Sequence, residues 1–305
     1  MMQLKFYTLD VFTETRFGGN PLAVVMNADA LPAGLMQSIA RELNLSETVF
    51  VQKATNPAAW ARVRIFTPAV ELPFAGHPTI GTGILLAQLR AGEASPDQDA
   101  LVVLEETIGA VRVGVRLRSG KAPYAEFDAP KLPEAAGDAP SAERLAAALG
   151  LMPSEIGFAN HRPSQWSAGV PFTFVPIASM AAIARAEIVS THWGAAFGTA
   201  KSGKVYLYTR ETVHTTSSFH ARMFGPAAGV AEDPATGSAA AAFAGAINAF
   251  DQPLMGTHKR MIEQGFEMGR PSLVALSFEV AARGKLDAVR IGGSAVRVTE
   301  GQLEI

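Results

Sequence analysis

Apolar and polar residues alternate in part along several short stretches of the first third of the chain. These stretches are rich in Val, Phe and Tyr, which together with the alternation is typical of half-buried strands. The predicted strands cover residues 4–12, 22–26, 47–51 and 60–66. After Pro32 the apolar residues instead recur at helical spacing, which predicts an amphipathic helix over 33–43. The pattern indicates a mixed structure with more strand than helix.

Three segments of the first half have counterparts in the second half, in the same order and at similar spacing. The pairs are GGNPLAVV (18–25) with AGVPFTFV (168–175), RVRIFTPA (62–69) with HARMFGPA (220–227), and HPTIGTG (77–83) with DPATGSA (233–239). Gly and Pro are common here, so turn chemistry could recur by chance. Three ordered matches favour an internal duplication. The third match aligns His77 with Asp233.

The length of 305 residues is enough for two domains of about 150 residues each. A turn, RSGK, separates a predicted strand over 110–117 from another over 122–130. We therefore predict an N-terminal repeat over 1–118 and a C-terminal repeat over 119–291. The last predicted strand lies in 292–305 and is expected to return to the first repeat.

Each repeat contains a segment that is apolar on nearly every helical face, IGTGILLAQL in the first and SAAAAFAGAINAF in the second. A helix of this kind is buried, so each sheet should wrap around a central helix. Its N-terminus has N–H groups without helical partners and a partial positive charge. Two such ends facing a cleft between the domains would bind a carboxylate. Alternatively, Asp233, Thr236 and Ser238 only cap the second helix.

Composition and charge exclude several classes of function. The chain has 26 basic and 28 acidic residues and no basic cluster, so nucleic acid is not an expected partner. It has no Cys, which excludes disulfides, thiolate metal sites and thiol nucleophiles. The His residues lack metal-ligand spacing, and no metal is expected. The N-terminus is not a signal peptide and no apolar run reaches about 20 residues, so we expect a cytoplasmic protein without membrane contact.

Five motifs in order resemble one known family. They are GGNPLAVV, NLSETVFV, RIFTPAVELPFAGHPTIGTG, ARMFGPAAGVAEDPATGSAA and QGFEMGRPS. Together they resemble the PhzF-like isomerases of phenazine biosynthesis, within the diaminopimelate epimerase fold superfamily. The resemblance implies an α+β fold of two pseudo-symmetric domains, each a curved antiparallel sheet around a central helix, with the active site in the cleft between them. It also implies a homodimer and no cofactor.

The resemblance further implies a reaction and a set of site residues. Glu47 of the SET motif resembles the family's proton-shuttling acid/base, and His77 and Asp233 resemble its polar pair at the substrate. These three are the predicted catalytic residues. The predicted substrate-binding residues are Asn20, Gly76, Gly237 and Ser238. The implied activity is a cofactor-independent isomerase that moves a proton within a small cyclic or unsaturated carboxylic acid.

Two other functions are compatible with the same residues. Glu47 and Asp233 could act as the carboxylate pair of a hydrolase, although the 3 Trp and 4 Tyr are few for a sugar site. The helix ends could also bind a small acid without catalysis, with Glu47 idle. The two-thiol racemisation of other proteins with this fold is excluded because the chain has no Cys.

Overall fold

The predicted strands of the first third and the helix after Pro32 are present in the computed structural model, which describes residues 2–92, 97–197, 203–226 and 230–305. The chain divides into two units, Met1–Asp128 with Gly292–Ile305, and Ala129–Ile291. The boundary predicted from the sequence lies earlier, at 118. The strand over Tyr124–Asp128 pairs with the preceding strand of the first unit and so belongs to that unit.

The elements of the first unit are, in chain order, β1 (Gln3–Val11), β2 (Asn20–Val25), α1 (Ala33–Leu43), β3 (Glu47–Gln52), β4 (Ala61–Phe66), β5 (Glu71–Leu72), α2 (Gly76–Ala91), β6 (Gln98–Glu106), β7 (Gly109–Leu117) and β8 (Tyr124–Asp128). Those of the second unit are β9 (Glu134–Ala135), α3 (Ala142–Leu149), β10 (Ser164–Ser167), β11 (Pro171–Pro176), α4 (Met180–Arg185), α5 (Ser190–Phe197), β12 (Val205–Thr209), β13 (Phe219–Gly225), β14 (Val230–Asp233), α6 (Gly237–Asp251), β15 (Gly256–Gln264) and β16 (Ser272–Val280). The last strand, β17 (Leu286–Glu304), begins in the second unit and continues in the first.

The two units pair their strands in the same order. In the first unit β2 runs parallel to β3, β3 antiparallel to β4, β4 antiparallel to β5 and parallel to β6, and β6 antiparallel to β7. In the second unit β11, β12, β13, β14, β15 and β16 repeat this pattern step by step. The predicted internal duplication is therefore confirmed by the strand topology.

A buried helix lies at the centre of each unit. Every residue of α2 from Gly76 to Leu85 is buried, and the helix packs against β1, β2, β3, β6, β7 and β8. The helix α6 is buried along most of its length and packs against β9, β10, β11 and β16. The approach of α2 to its sheet requires glycine, since a Cβ on Gly81 would lie 2.6 Å from Cδ2 of Leu22. The predicted central helices are confirmed.

An arginine–glutamate pair joins equivalent strands in each unit. Between β4 and β5, Nε and Nη2 of Arg64 each lie 2.7 Å from the carboxylate of Glu71. Between β13 and β14, Arg222 binds both oxygens of Glu232 at 2.8 and 2.9 Å. The sequence leaves the role of Glu232 open, and the structure pairs it with Arg222.

A glutamate near the end of a strand binds a loop in each unit. Glu105 on β6 binds the loop before β4, and the buried Glu263 on β15 binds the loop before β13. The carboxylate of Glu105 accepts from the backbone N–H of Thr55 at 2.8 Å. The carboxylate of Glu263 accepts from the N–H of Val213 at 2.9 Å and of His214 at 2.6 Å. The duplication thus preserves individual loop contacts as well as the strand order.

Within the part of the chain that the structure describes, none of the helices is both long enough and apolar enough to span a membrane.

Candidate active site

Glu47 and His77 meet within the first unit. Glu47 is the first residue of β3 and its side chain is 17% exposed, whereas His77 is the second residue of α2 and its side chain is 5% exposed. Nε2 of His77 lies 3.2 Å from Oε2 of Glu47, without the alignment of a hydrogen bond. The structure therefore brings together two of the three predicted catalytic residues.

The environment of His77 determines its charge. Complete burial lowers the pKa of His77 to about 3, because the charged imidazolium would lose its hydration. At neutral pH the ring is therefore neutral, and its contact with Glu47 is not an ion pair. A neutral imidazole has one N–H donor and one acceptor nitrogen. His77 can orient a carboxylate or a substrate oxygen, but it supplies no positive charge.

Asp233, the third predicted catalytic residue, lies at the end of β14 in the second unit. Oγ1 of Thr236 donates a 2.6 Å hydrogen bond to Oδ2 of Asp233. Thr236 is the N-cap residue of α6, yet its side chain makes no capping hydrogen bond to the helix. The alternative that Thr236 serves as a helix cap is therefore wrong, and its hydroxyl is directed to the carboxylate.

Gln264, which is not among the predicted site residues, completes this cluster. It is fully buried at the end of β15, and its Nε2 donates to the carbonyl oxygen of Asp233 at 2.8 Å and to Oγ1 of Thr236 at 2.9 Å. Its Oε1 accepts from the backbone N–H of Thr236 at 3.2 Å. Because Gln264 donates to the hydroxyl, the hydroxyl hydrogen is left for Asp233.

A sequence signal for Gln264 did exist, since it opens the motif QGFEMGRPS. The next residue, Gly265, has φ +78°, and a Cβ there would lie 2.6 Å from the carbonyl oxygen of Pro234. The turn after β15 therefore packs against the loop before α6. The motif forms the turn that connects β15 to β16.

The predicted substrate-binding residues lie at strand and helix starts. Asn20 is buried at the start of β2, Gly76 and Gly237 are the first residues of α2 and α6, and Ser238 follows Gly237. The N-cap residues of α2 and α6 provide no side-chain cap, unlike the serines that cap α3 and α4. Each of these two helix starts therefore has N–H groups suited to an anionic ligand.

The structure corrects the alignment of His77 with Asp233. Counted from the first residue of each central helix, His77 corresponds to Ser238. The last residue of β14, Asp233, corresponds to Leu72, the last residue of β5. Proline is accepted both in the first helical turn and in the loop before it, so the matching His-Pro and Asp-Pro dipeptides do not define the register.

Within residues 2–92, 97–197, 203–226 and 230–305, no three His, Asp or Glu side chains are grouped as metal ligands.

Known proteins are similar to this chain in sequence and in fold over nearly its whole length. The chain is 51% identical over 309 residues to an uncharacterized isomerase of Mesorhizobium japonicum, covering 100% of both. It is 35% identical over 298 residues to the trans-2,3-dihydro-3-hydroxyanthranilate isomerase of Pseudomonas aeruginosa, covering 98% of both. The crystal structure of a PhzF-family phenazine biosynthesis protein of Bacillus anthracis superimposes with a TM-score of 0.88 at 24% identity, covering 100% of both.

These similarities define the protein as an isomerase and confirm the predicted α+β fold. The family model described as phenazine biosynthesis-like protein, PhzC-PhzF, matches residues 9–301, and the chain belongs to this family.

Proposed function

We propose that the protein is a cofactor-independent isomerase that moves a proton within a small cyclic or unsaturated carboxylic acid, with Glu47 as the acid/base. The observation that carries the proposal is the 3.2 Å contact between the half-buried Glu47 carboxyl group and the buried ring of His77. The Pseudomonas aeruginosa relative, a trans-2,3-dihydro-3-hydroxyanthranilate isomerase, belongs to the same class of enzyme.

The proposed reaction needs no external oxidant or reductant. The Glu47 carboxylate takes a proton from a carbon next to a double bond, and the C–H electron pair enters the conjugated system. The double bond shifts, and the proton carried by Glu47 forms a new C–H bond at the remote carbon. The second step returns the proton to the substrate and Glu47 to its carboxylate form, so one carboxylate is sufficient.

The other predicted residues supply binding and charge stabilisation. The developing negative charge requires donors placed beforehand, and uncapped helix N–H groups at Gly76 and Gly237 are such donors. Neutral His77 orients the Glu47 carboxyl group. Asp233, held by Thr236 and Gln264, is proposed to bind the polar substituent of the acid.

The duplicated fold does not repeat Glu47. The pairing of β3 with β4 and of β12 with β13 matches the position of Glu47 to Lys204. A second acid/base of the same kind is therefore not supplied by symmetry, which favours a proton shift on one face over a two-base epimerisation. We further propose that the enzyme is a homodimer, which light scattering coupled to gel filtration would measure.

Deuterium incorporation tests the role of Glu47. Wild type is incubated in D₂O with trans-2,3-dihydro-3-hydroxyanthranilate and a panel of small unsaturated acids, and deuterium is followed by mass spectrometry. We expect incorporation by wild type and a loss of about 100-fold or more in Glu47→Gln, as for removal of a general base. Glu42→Gln, which removes an exposed carboxylate on α1, is the matched control.

Two results would contradict the proposal. Undiminished incorporation in a folded Glu47→Gln protein would show that Glu47 is not the base. Acids that bind to wild type by calorimetry but never exchange a proton would instead indicate a binding protein without catalysis.

A further inference from the structure

A second glutamate is buried beside the start of α2. Glu106, the last residue of β6, is 5% exposed. Its Oε1 lies 2.8 Å from Oγ1 of Thr79 on α2. Its Oε2 is also buried and makes no hydrogen bond within the described residues. A negative charge on such an oxygen would be costly, because nothing replaces its lost hydration.

The hydrogen bonds around Thr79 also indicate that Glu106 is protonated. Oγ1 of Thr79 is 2.8 Å from Oε1 of Glu106 and also 2.8 Å from the carbonyl oxygen of Ala75. A hydroxyl has one hydrogen, so it cannot donate fully to two acceptors. If Glu106 is protonated, its O–H donates to Thr79, and Thr79 donates to Ala75. Each hydrogen is then used once.

The duplication places a neutral residue at the equivalent position of the second unit. The parallel pairing of β4 with β6 aligns Arg62 with Glu105, and that of β13 with β15 aligns His220 with Glu263. One residue further, Glu106 therefore corresponds to Gln264. Gln264 also binds the residues just before its central helix. Glutamine has nearly the shape of a protonated glutamate. In both units, therefore, a neutral polar side chain at a strand end binds the start of the central helix.

Among the described residues, the charged side chains on the strands beside Glu106 do not face it. On the strands beside it, the side chains of Arg62, Glu105 and Arg112 belong to the opposite face of the sheet. On the first turn of α2 the titratable residue is His77, which is neutral at pH 7. In agreement with the geometry, burial raises the pKa of Glu106 to about 8.

We propose that Glu106 is a positioning residue that, in its protonated form, holds Thr79 and the Ala75 carbonyl and thereby fixes the first turn of α2 and the ring of His77. The proposal rests on the proposed function, since His77 is taken to act beside Glu47. Glu106 acts through the helix and does not itself contact the substrate. Ala75 and Thr79, the residues that Glu106 holds, flank Gly76 and His77.

Three substitutions in the full chain test this role. Glu106→Gln keeps a neutral donor to Thr79, Glu106→Leu removes it, and Thr79→Val removes the hydroxyl. We expect kcat to fall about tenfold in Glu106→Leu and Thr79→Val with little change in KM, as for the loss of one buried hydrogen bond. We expect Glu106→Gln to restore kcat to within about threefold of wild type.

Dependence on pH provides a readout that a merely structural role would not change. Ionisation of Glu106 should lower the wild-type kcat above pH 8, and Glu106→Gln should lack this loss. Glu105→Gln, which removes the adjacent carboxylate on the other face, should keep it. A folded Glu106→Gln protein as inactive as Glu106→Leu, or one with an unchanged alkaline loss, would overturn the proposal.

Failure of the proposed function can be separated from failure of this inference. If wild type exchanges no proton with any acid, the role of Glu106 is tested in two other ways. They are thermal unfolding from pH 5 to 9 and the NMR signals of the His77 ring. A neutral Glu106 requires wild type to lose stability relative to Glu106→Gln as pH rises towards 8. It also requires the ring signals to shift in Glu106→Leu but not in Glu106→Gln. A constant stability difference, or unshifted signals in Glu106→Leu, would overturn it.

Discussion

Thr236 donates a 2.6 Å hydrogen bond to the carboxylate of Asp233, although Thr236 occupies the N-cap position of α6. A threonine at that position usually bonds to the helix itself. Here Gln264 donates to the hydroxyl oxygen and so directs the hydroxyl hydrogen away from the helix. The three residues form a chain of hydrogen bonds with one direction, from Gln264 through Thr236 to Asp233.

Removal of the Thr236 hydroxyl should therefore impair Asp233. In Thr236→Val the Asp233 carboxylate loses the hydrogen bond from Thr236, and Nε2 of Gln264 loses an acceptor. We therefore expect kcat/KM to fall about 10- to 100-fold, as for a hydrogen bond to a charged group. Thr236→Ser retains the hydroxyl and should stay within about threefold of wild type. Equal losses in the two variants would show that the methyl group, and not the hydrogen bond, matters.

Burial of His77 should make stability depend on pH in the acid range. Its folded-state pKa of about 3 lies below the ordinary value of 6.5, so the unfolded chain binds the proton first. Stability therefore falls as pH drops from 6.5 towards 3. Urea unfolding should show that this part of the loss disappears in His77→Gln. The exposed His192 is the control, and His192→Gln should retain the acid dependence of wild type.

The two arginine–glutamate pairs should differ in their contribution to stability. Arg222 is more deeply buried than Arg64, with side-chain exposures of 9% and 20%. Arg222 also donates to the carbonyl oxygens of Ile183 and Ala186 at the end of α4. Arg222→Met should lower the free energy of unfolding by about 3 kcal/mol, because Glu232 and these carbonyls lose the donors that the guanidinium group provides.

Arg64→Met is the matched variant in the first unit. Its pair with Glu71 is more exposed, so we expect a loss of about 1 kcal/mol or less. Denaturant unfolding of both variants measures the two losses. A loss in Arg64→Met as large as that in Arg222→Met would contradict the assignment of the larger effect to burial and to the α4 carbonyls.

Local patterns in the sequence were sufficient for the elements and their burial. The apolar spacing after Pro32 predicted the helix α1 at Ala33–Leu43, where it is found. The apolar character of α2 and α6 predicted two buried helices, and the repeated motifs predicted the duplicated fold. These properties depend on neighbouring residues, through strand alternation, helical period and turn chemistry.

The sequence predicted only some of the residues of the candidate site. Glu47, His77 and Asp233 belong to motifs with a clear family resemblance. Gln264 also opens such a motif, but nothing in the motif indicates its role, and Glu106 lies in none of the motifs. Both end a strand, and a polar residue at a strand end is usually solvated. What distinguishes them is burial against the start of a helix distant in the sequence.

The sequence by itself determined the element types, the duplication, the family and the absence of thiol chemistry. Tertiary structure alone decided that His77 corresponds to Ser238, that Glu232 pairs with Arg222, and that Glu106 matches Gln264. The physical reason is that strand register and helix position are set by hydrogen bonds and packing between segments distant in the sequence. Burial and hydrogen-bond partners, and with them the charge state of His77, follow from that register.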